Sequence, residues 1–253
     1  MNKSELQNFS KAGLFLFARP GSTDAKSYEE VFDKKVYFQK GIKFDAYEGE
    51  AWIDLGGNAG AFSNYAVMKG AKKVLIYEAD AESSELIKIN LEPNLNKIKI
   101  INAAIVSDKF NKKFVSFFVN QNLKHCKSSI VNTAKRASTV KEIKIVAHKF
   151  SKVVKEFKKS LEKGTKLCVK MDIEGAEFEI LENIPANVWK LIDKLVLEYH
   201  FDKDPSVKRY YKIAGILEKN FSKVRYDKIS KKIKIYKYFP VTRMIWAQKA
   251  LVI

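Results

Sequence analysis

Short apolar runs alternate with longer amphipathic segments along most of the chain. Five runs have the length and composition of buried strands, at residues 52–55, 74–77, 98–101, 167–171 and 195–197. Segments with helical periodicity follow or separate them, at residues 62–69, 84–91, 177–183 and 207–219. Strands separated by helices of this length indicate a mostly parallel sheet with helices on both faces. The pattern therefore predicts a doubly wound α/β fold, to which residues 244–247 add a last strand.

The beginning of the chain does not follow this alternation. We expect an N-terminal segment over residues 1–45 that precedes the main domain. Ser27 and Glu30 have the spacing of a capping box, which predicts that a short helix opens there. Apolar residues at 36–38 and 42–44 predict two short strands.

The main domain is predicted to span residues 46–253, with two additions to its strand and helix pattern. Residues 110–150 form an insertion with predicted strands at 114–119 and 143–147. Between these strands lies a polar, basic stretch without periodicity, and a loop of that length in a compact domain is usually functional or disordered. Residues 222–253 are predicted to form a basic C-terminal hairpin.

The chain is strongly basic, with 47 lysines and arginines against 29 acidic residues and a net charge of +18. This charge favours an anionic partner, such as nucleic acid, a membrane surface or an acidic glycan, although lysines that coat a solvated surface give the same total. Four basic residues of the insertion could cover a binding site and attract an anionic acceptor: Lys124, Lys127, Lys135 and Arg136.

The sequence shows no pattern typical of a disulfide framework, a zinc site or a membrane span. Cys126 and Cys168 form no Cys-x-x-Cys pair, which argues against a disulfide framework and a thiolate zinc site. We interpret His125 and His148, both in the insertion, as structural or solvated. No apolar run approaches the roughly 20 residues of a membrane span. We therefore expect a cytoplasmic protein without a transmembrane segment.

The strongest local motif is the glycine-rich stretch from Asp54 to Phe62, with the sequence DLGGNAGAF. A strand enters it, glycines allow a tight turn and close approach to a ligand, and a helix leaves. A dinucleotide-binding loop would need glycine at positions that hold Asn58 and Ala61. Glu78 ends the next strand, where a carboxylate can accept hydrogen bonds from both ribose hydroxyls of a nucleoside. The spacing favours S-adenosylmethionine, which has no pyrophosphate, and Asp54 suits its amino group and sulfonium.

Four motifs in order resemble the FkbM family of S-adenosylmethionine-dependent O-methyltransferases, over residues from about 30 to about 200. They are the glycine loop, Tyr77–Asp80, Lys170–Glu177 and Glu198–His200. Asn102–Ala104 and the insertion, with its Ser128 and Ser129, also resemble family segments, whereas Ala79 stands where many members have proline. The resemblance implies a Rossmann-like class I methyltransferase sheet, mostly parallel with an antiparallel last strand.

The resemblance also implies the cofactor and the residues that hold it. The expected cofactor is S-adenosyl-L-methionine. The expected cofactor-binding residues come from the glycine loop and from the ends of the neighbouring strands: Asp54, Gly56, Gly57, Asn58, Gly60, Phe62, Glu78, Ala79, Asn102, Ala103 and Asp172.

Methyl transfer to a hydroxyl requires alignment and benefits from a base. Polar residues at the ends of the fourth and fifth strands are our catalytic candidates: Lys170, Asp172, Glu174, Glu198 and His200. Asp172 is the first candidate base, or an acceptor for the cofactor's amino group. Glu174 could face the acceptor, and Lys170 is expected to pair with a nearby carboxylate because a lysine in an apolar strand is costly otherwise. Glu177 suits a helix start through the helix dipole alone.

His200 has two further interpretations, because a histidine at a strand end can act as a base near neutral pH or have a structural role. Asp172, Glu198 and His200 could instead hold a divalent metal that orients a diol. The sequence does not show that these three side chains converge, so we predict no metal ligands.

The family resemblance favours O-methylation of a sugar or glycan, which could be anionic. A nucleic-acid (RNA) methyltransferase is the main alternative because of the charge. However, the chain has no Pro-Pro for a base-amino methylation motif, and no Lys-Asp-Lys-Glu set of ribose methyltransferases can be placed. A non-catalytic nucleotide-binding module is the second alternative, and Asp172, Glu174 and Glu198 argue against it. The sequence does not predict the oligomeric state.

Overall fold

The computed structural model describes residues 1–120, 140–201, 203–229 and 242–250. Several sequence predictions fall outside these ranges and concern the basic part of the insertion: Lys124, His125, Cys126, Lys127, Ser128, Ser129, Lys135 and Arg136. Residues 230–241, in the predicted C-terminal hairpin, also lie outside the described ranges.

A seven-stranded sheet forms the centre of the fold. Along the chain its strands are β3 (Ala51–Leu55), β4 (Lys73–Glu78), β5 (Ile98–Asn102), β9 (Leu167–Met171), β10 (Lys194–His200), β11 (Lys223–Tyr226) and β12 (Thr242–Gln248). Their order in the sheet is β11-β12-β10-β9-β3-β4-β5, in which β12 is antiparallel to both neighbours and the pairs from β10 to β5 are parallel. The predicted fold class, including the antiparallel last strand, is confirmed.

Every residue of the central strands β3 and β9 is buried, as expected for a parallel sheet with both faces covered. One face packs on a core that includes Phe150, Phe178 and Tyr210, and the other on a core that includes Trp52 and Phe62. The helices that supply these contacts are α1 (Asp24–Phe32), α2 (Ala61–Met68), α3 (Ala81–Asn90), α4 (Phe150–Lys159), α5 (Glu177–Leu181), α6 (Ala186–Trp189) and α7 (Val207–Asn220).

The N-terminal segment differs from its prediction in detail. It contains a hairpin of β1 (Gln7–Lys11) and β2 (Leu14–Ala18), and α1 begins at Asp24 instead of Ser27. The strands predicted at 36–38 and 42–44 are wrong. Residues 36–38 form a turn that buries Tyr37, and Lys40–Ile42 form a 3-10 turn that ends in left-handed Lys43 (φ 54°).

A small second sheet lies beside the central one. It has the order β6-β8-β7, with β6 (Ala104–Val106), β7 (Phe114–Asn120) and β8 (Val140–Lys149). The two strands predicted in the insertion at 114–119 and 143–147 correspond to β7 and β8, which pair antiparallel. At the C-terminal end, β11 pairs with β12 across the region outside the described ranges. No helix among the described residues is long and apolar enough to cross a membrane.

Candidate active site

Two positions of the glycine loop between β3 and α2 require glycine because a Cβ there would collide with neighbouring residues. Gly56 has φ of 81°, and a Cβ there would lie 1.7 Å from the backbone oxygen of Asp172. A Cβ on Gly57 would lie 2.5 Å from Ile76 Cγ2. The loop is therefore packed directly against the end of β9 and against β4. The glycine loop and the segment that holds Asp172 are therefore in direct contact.

Glu78, the last residue of β4, is 9% exposed and has both carboxylate oxygens oriented by the backbone. Asn58 N donates to Oε2 at 2.8 Å, and Asp80 N donates to Oε1 at 2.8 Å. Burial raises the pKa of Glu78 to about 7, although the two backbone N–H groups oppose this. Each oxygen keeps a further lone pair for a donor outside the protein.

A first cavity of about 560 Å³ opens beside Glu78. The residues around it come from the glycine loop, the ends of β4 and β5 and the small sheet, and include Asn58, Glu78, Ala79, Ala103, Phe117 and Ile143. Its volume lies within the range usual for small-molecule sites. Asn102 does not line this cavity, because its Nδ2 donates to the carbonyls of Glu78 and Ala79 at the strand ends.

A buried ion pair supports the glycine loop from below. Asp54 is fully buried, accepts from Ser63 Oγ at 2.6 Å and lies 3.1 Å from Lys170 Nζ. Lys170 donates to the carbonyl of Gly56 at 2.6 Å. Burial lowers the pKa of Lys170, but the charges of Asp54 and Asp172 outweigh it and the pKa is raised. The expected partner for Lys170 is thus present, whereas Asp54 lines neither large cavity among the described residues.

Gly60, also expected to bind the cofactor, begins α2 with φ of 89° and lines neither large cavity of the described chain. Gly57 and Phe62 line a second cavity of about 560 Å³ on the other side of the loop. The two cavities share four lining residues: Gly56, Asn58, Asp172 and Glu174. A ligand that spans both would therefore pass the end of β9.

Tyr37 is a site residue that the sequence interpretation missed. Its hydroxyl donates to Asp172 Oδ2 at 3.1 Å, and its ring centroid lies 5.5 Å from Lys170 Nζ. The ring also packs edge to face on Phe62. Burial raises the pKa of Tyr37 well above its usual value, so the phenol remains a donor. No motif marks this residue, because only the fold brings the N-terminal segment to β9.

His200 lies among carboxylates at the end of β10. Its Nδ1 lies 3.1 Å from Glu177 Oε1, and its Nε2 lies 3.5 Å from Asp172 Oδ1 and 3.6 Å from Glu174 Oε2. Burial lowers the pKa of His200, but the charges of Glu177, Glu174 and Asp172 raise it to about 10. Burial and Asp172 raise the pKa of Glu198 to about 7. An imidazole with this pKa is protonated at neutral pH, which favours Asp172 and Glu174 over His200 as a base.

Glu177 does more than begin a helix. It is fully buried and accepts from the backbone N–H groups of Ile173 and Gly175 at 2.9 and 2.7 Å. These bonds close the turn in which Glu174 and Gly175 adopt positive φ. The turn directs Glu174 to the shared edge of the two cavities.

The second cavity contains all five catalytic candidates, namely Lys170, Asp172, Glu174, Glu198 and His200. One ligand atom each from Asp172, Glu198 and His200 lies within 4.8 Å of the others, so these side chains do converge. The described lining is acidic despite the charge of the chain, with five carboxylates from Glu30, Asp172, Glu174, Glu198 and Asp227 against three cations, Lys26, Lys170 and the protonated His200.

Residues 54–226 match the profile of the methyltransferase FkbM domain. No curated protein sequence matches the chain. A solved structure of the FkbM methyltransferase from Methylobacillus flagellatus has a TM-score of 0.51 and 12% identity, covering 87% of this chain and 47% of that one.

Two further solved structures are similar over most of their length. A proposed rRNA methylase from Clostridium thermocellum has a TM-score of 0.45 and 8% identity, covering 90% of this chain and 97% of that one. The precorrin-6y C5,15-methyltransferase from Geobacter metallireducens has a TM-score of 0.41 and 12% identity, covering 98% and 95%.

Proposed function

The chain belongs to the FkbM methyltransferase family, and from that premise we propose that it is an S-adenosylmethionine-dependent O-methyltransferase that acts on a hydroxyl of a sugar or glycan. One observation carries the proposal. Two cavities of about 560 Å³ meet at Gly56, Asn58, Asp172 and Glu174. One of them suits an adenosine, and the other suits a polar acceptor.

The first cavity has the features that a nucleoside needs. Glu78 presents two oriented carboxylate oxygens to ribose hydroxyls, and Ala79 and Ala103 add small apolar side chains to the lining that a base would contact. Gly56 lets the loop pack directly against the Asp172 backbone, with which any Cβ would collide, and so keeps the loop and Asp172 at the same junction. In this proposal Asp54 and Gly60 shape the loop instead of touching the cofactor.

S-adenosylmethionine would supply a methyl group on a positively charged sulfur. The acidic groups around the junction, chiefly Asp172 and Glu174, favour a cation there. Lys170 and Tyr37 hold Asp172 in place through an ion pair of 3.6 Å and a hydrogen bond of 3.1 Å. Asp172 or Glu174 then accepts the proton of the acceptor hydroxyl.

The described lining of the second cavity supports an uncharged polyol over a polyanion. Its five carboxylates outnumber its three cations, two lysines and the protonated His200, and such a surface repels a phosphate backbone or an acidic glycan. Hydroxyl groups from Ser27, Tyr37 and Thr242 add partners for sugar hydroxyls. We therefore favour a neutral sugar as the acceptor, although the chain as a whole is basic.

The test is transfer of a labelled methyl group from S-adenosylmethionine to a panel of neutral oligosaccharides, acidic polysaccharides and RNA. We expect product with a neutral sugar and none with RNA. Asp172→Asn should stay folded and lose at least about a hundredfold in turnover, the usual contribution of a positioned base. Labelled RNA as the sole product would refute the acceptor class, and near-normal activity of Asp172→Asn would remove that residue from the site.

A further inference from the structure

His200 is oriented on one side and faces the second cavity with the other. The side chain is 3% exposed, and Glu177 Oε1 lies 3.1 Å from its Nδ1. Glu177 is itself fixed by the backbone N–H groups of Ile173 and Gly175. A histidine that donates one ring N–H to a fixed carboxylate and presents the other nitrogen to a cavity has the arrangement typical of metal ligands.

The atoms that face Nε2 have the spacing of ligands around one ion. Asp172 Oδ1 lies 3.5 Å from Nε2, and ligand atoms of Asp172, Glu198 and His200 all lie within 4.8 Å of one another. An octahedral ion with bonds of about 2.1 Å separates adjacent ligands by about 3 Å and opposite ligands by about 4.2 Å. Small side-chain rotations would therefore bring all three atoms to one cation, which would replace the proton that His200 Nε2 carries at neutral pH.

The local charge also favours a cation. Glu174 and Lys203 form an ion pair at 3.9 Å, and Lys170 lies 3.1 Å from Asp54 and 3.6 Å from Asp172. Glu177 and Glu198 add two more carboxylates beside His200 and Asp172. Several carboxylates gathered in a partly desolvated site repel one another, and a dication between them relieves that repulsion.

We propose that Asp172, Glu198 and His200 bind a divalent cation of the Mn²⁺ type at the floor of the second cavity. One imidazole and two carboxylates suit such an ion better than Ca²⁺, which takes oxygen ligands, or a structural zinc site, which has four protein ligands. The remaining coordination positions face the cavity. Two neighbouring hydroxyls of a polyol acceptor can occupy them, a role that rests on the proposed function, whereas cation binding does not. With the cation bound, Glu174 is the base, because Asp172 Oδ1 binds the cation and Oδ2 accepts from Tyr37.

The test is titration of the full chain with Mn²⁺ alone, without cofactor or acceptor, followed by calorimetry and by electron paramagnetic resonance. We expect one saturable site per chain. Glu198→Gln and His200→Ala should each lower the affinity at least about tenfold, as the loss of a ligand requires. Glu179→Gln is the matched control, because Glu179 is exposed on α5 beside Glu177 and should leave the affinity unchanged.

Unsaturable Mn²⁺ binding, or equal affinity in wild type and both variants, would overturn the proposal. Should His200→Ala fail to fold, the conservative Glu198→Gln variant decides alone. Titration with S-adenosylhomocysteine is performed separately. Mn²⁺ binding without S-adenosylhomocysteine binding would retain the cation site and refute the proposed function, and the reverse result would refute only the cation site.

Discussion

Replacement of Glu78 by glutamine tests the cofactor site with the smallest change in shape. Both carboxylate oxygens accept a backbone N–H, from Asn58 and from Asp80. A glutamine amide has one oxygen, so its NH₂ group must face one of these donors. It also offers one acceptor where two ribose hydroxyls need partners.

The magnitudes follow from these contacts. Loss of one hydrogen bond to a charged group costs about 1.5–3 kcal/mol, which lowers cofactor affinity about 10- to 150-fold. The effect on folding is smaller because two contributions oppose each other. The clash of donors costs about 1–3 kcal/mol. Glutamine also avoids the burial of an ionised carboxylate, which costs about 3 kcal/mol at pH 8 for a pKa of about 7 against 4.5 when unfolded.

Calorimetric titration with S-adenosylmethionine at pH 8 and urea unfolding of the same samples measure the two effects. Glu82→Gln is the matched control, since Glu82 borders the same cavity but is exposed. We expect weak binding and a nearly normal unfolding free energy for Glu78→Gln, and wild-type values for the control. Unchanged affinity for Glu78→Gln would refute the assignment of Glu78 to the ribose.

Three further predictions concern pH, the glycine loop and Tyr37. Because the folded-state pKa of Glu78 is raised to about 7, its carboxylate becomes fully ionised only above that pH. The affinity of the wild-type protein for the cofactor, measured by calorimetry, should therefore rise from pH 6 to pH 8. An affinity that does not change with pH would contradict this. By the same linkage, the stability that Glu78 contributes is complete below about pH 4.5 and is lost as the pH rises through about 7. Gly56→Ala should lower the free energy of unfolding, measured in urea, by about 2–5 kcal/mol, because the new Cβ would lie 1.7 Å from the Asp172 oxygen at a residue with positive φ. Gly215→Ala in α7 is the control, because the space around Gly215 is open, and it should change the free energy of unfolding by less than about 1 kcal/mol. Tyr37→Phe removes the hydrogen bond to Asp172 and should lower kcat about tenfold with little change in cofactor affinity; a wild-type kcat would show that Tyr37 does not position Asp172.

The central fold could be predicted from the sequence because each buried strand is a short run of mostly apolar residues, which Asp54 interrupts in β3 and Lys170 in β9. β3 and β9 are examples, in which every residue is buried. Helix α4 was missed, although Phe150, Val153, Val154 and Phe157 repeat with helical spacing.

The site was predictable where chemistry depends on local sequence. Gly56 and Glu78 follow from a strand, a turn and the next strand, and the structure places both beside the first cavity. Asp54 could not be assigned in this way, since its contacts with Ser63 and Lys170 depend on how α2 and β9 pack against β3. Tyr37 depends on the path of the whole N-terminal segment.

The sequence also could not predict that several carboxylates lie close to His200. Strand alternation predicts that Glu198 and His200 share a face of β10. It does not give the separation between that strand and the turn after β9, which brings Asp172 and Glu177 to the imidazole. The parallel register of β9 and β10 sets that separation.

The most direct test of the account is a crystal structure of the chain with S-adenosylhomocysteine. We predict electron density for adenosine in the first cavity, with both ribose hydroxyls within hydrogen-bond distance of the Glu78 carboxylate and the sulfur beside Asp172. Adenosine density at another place, or a cavity beside Glu78 that stays empty at saturating ligand, would contradict the account.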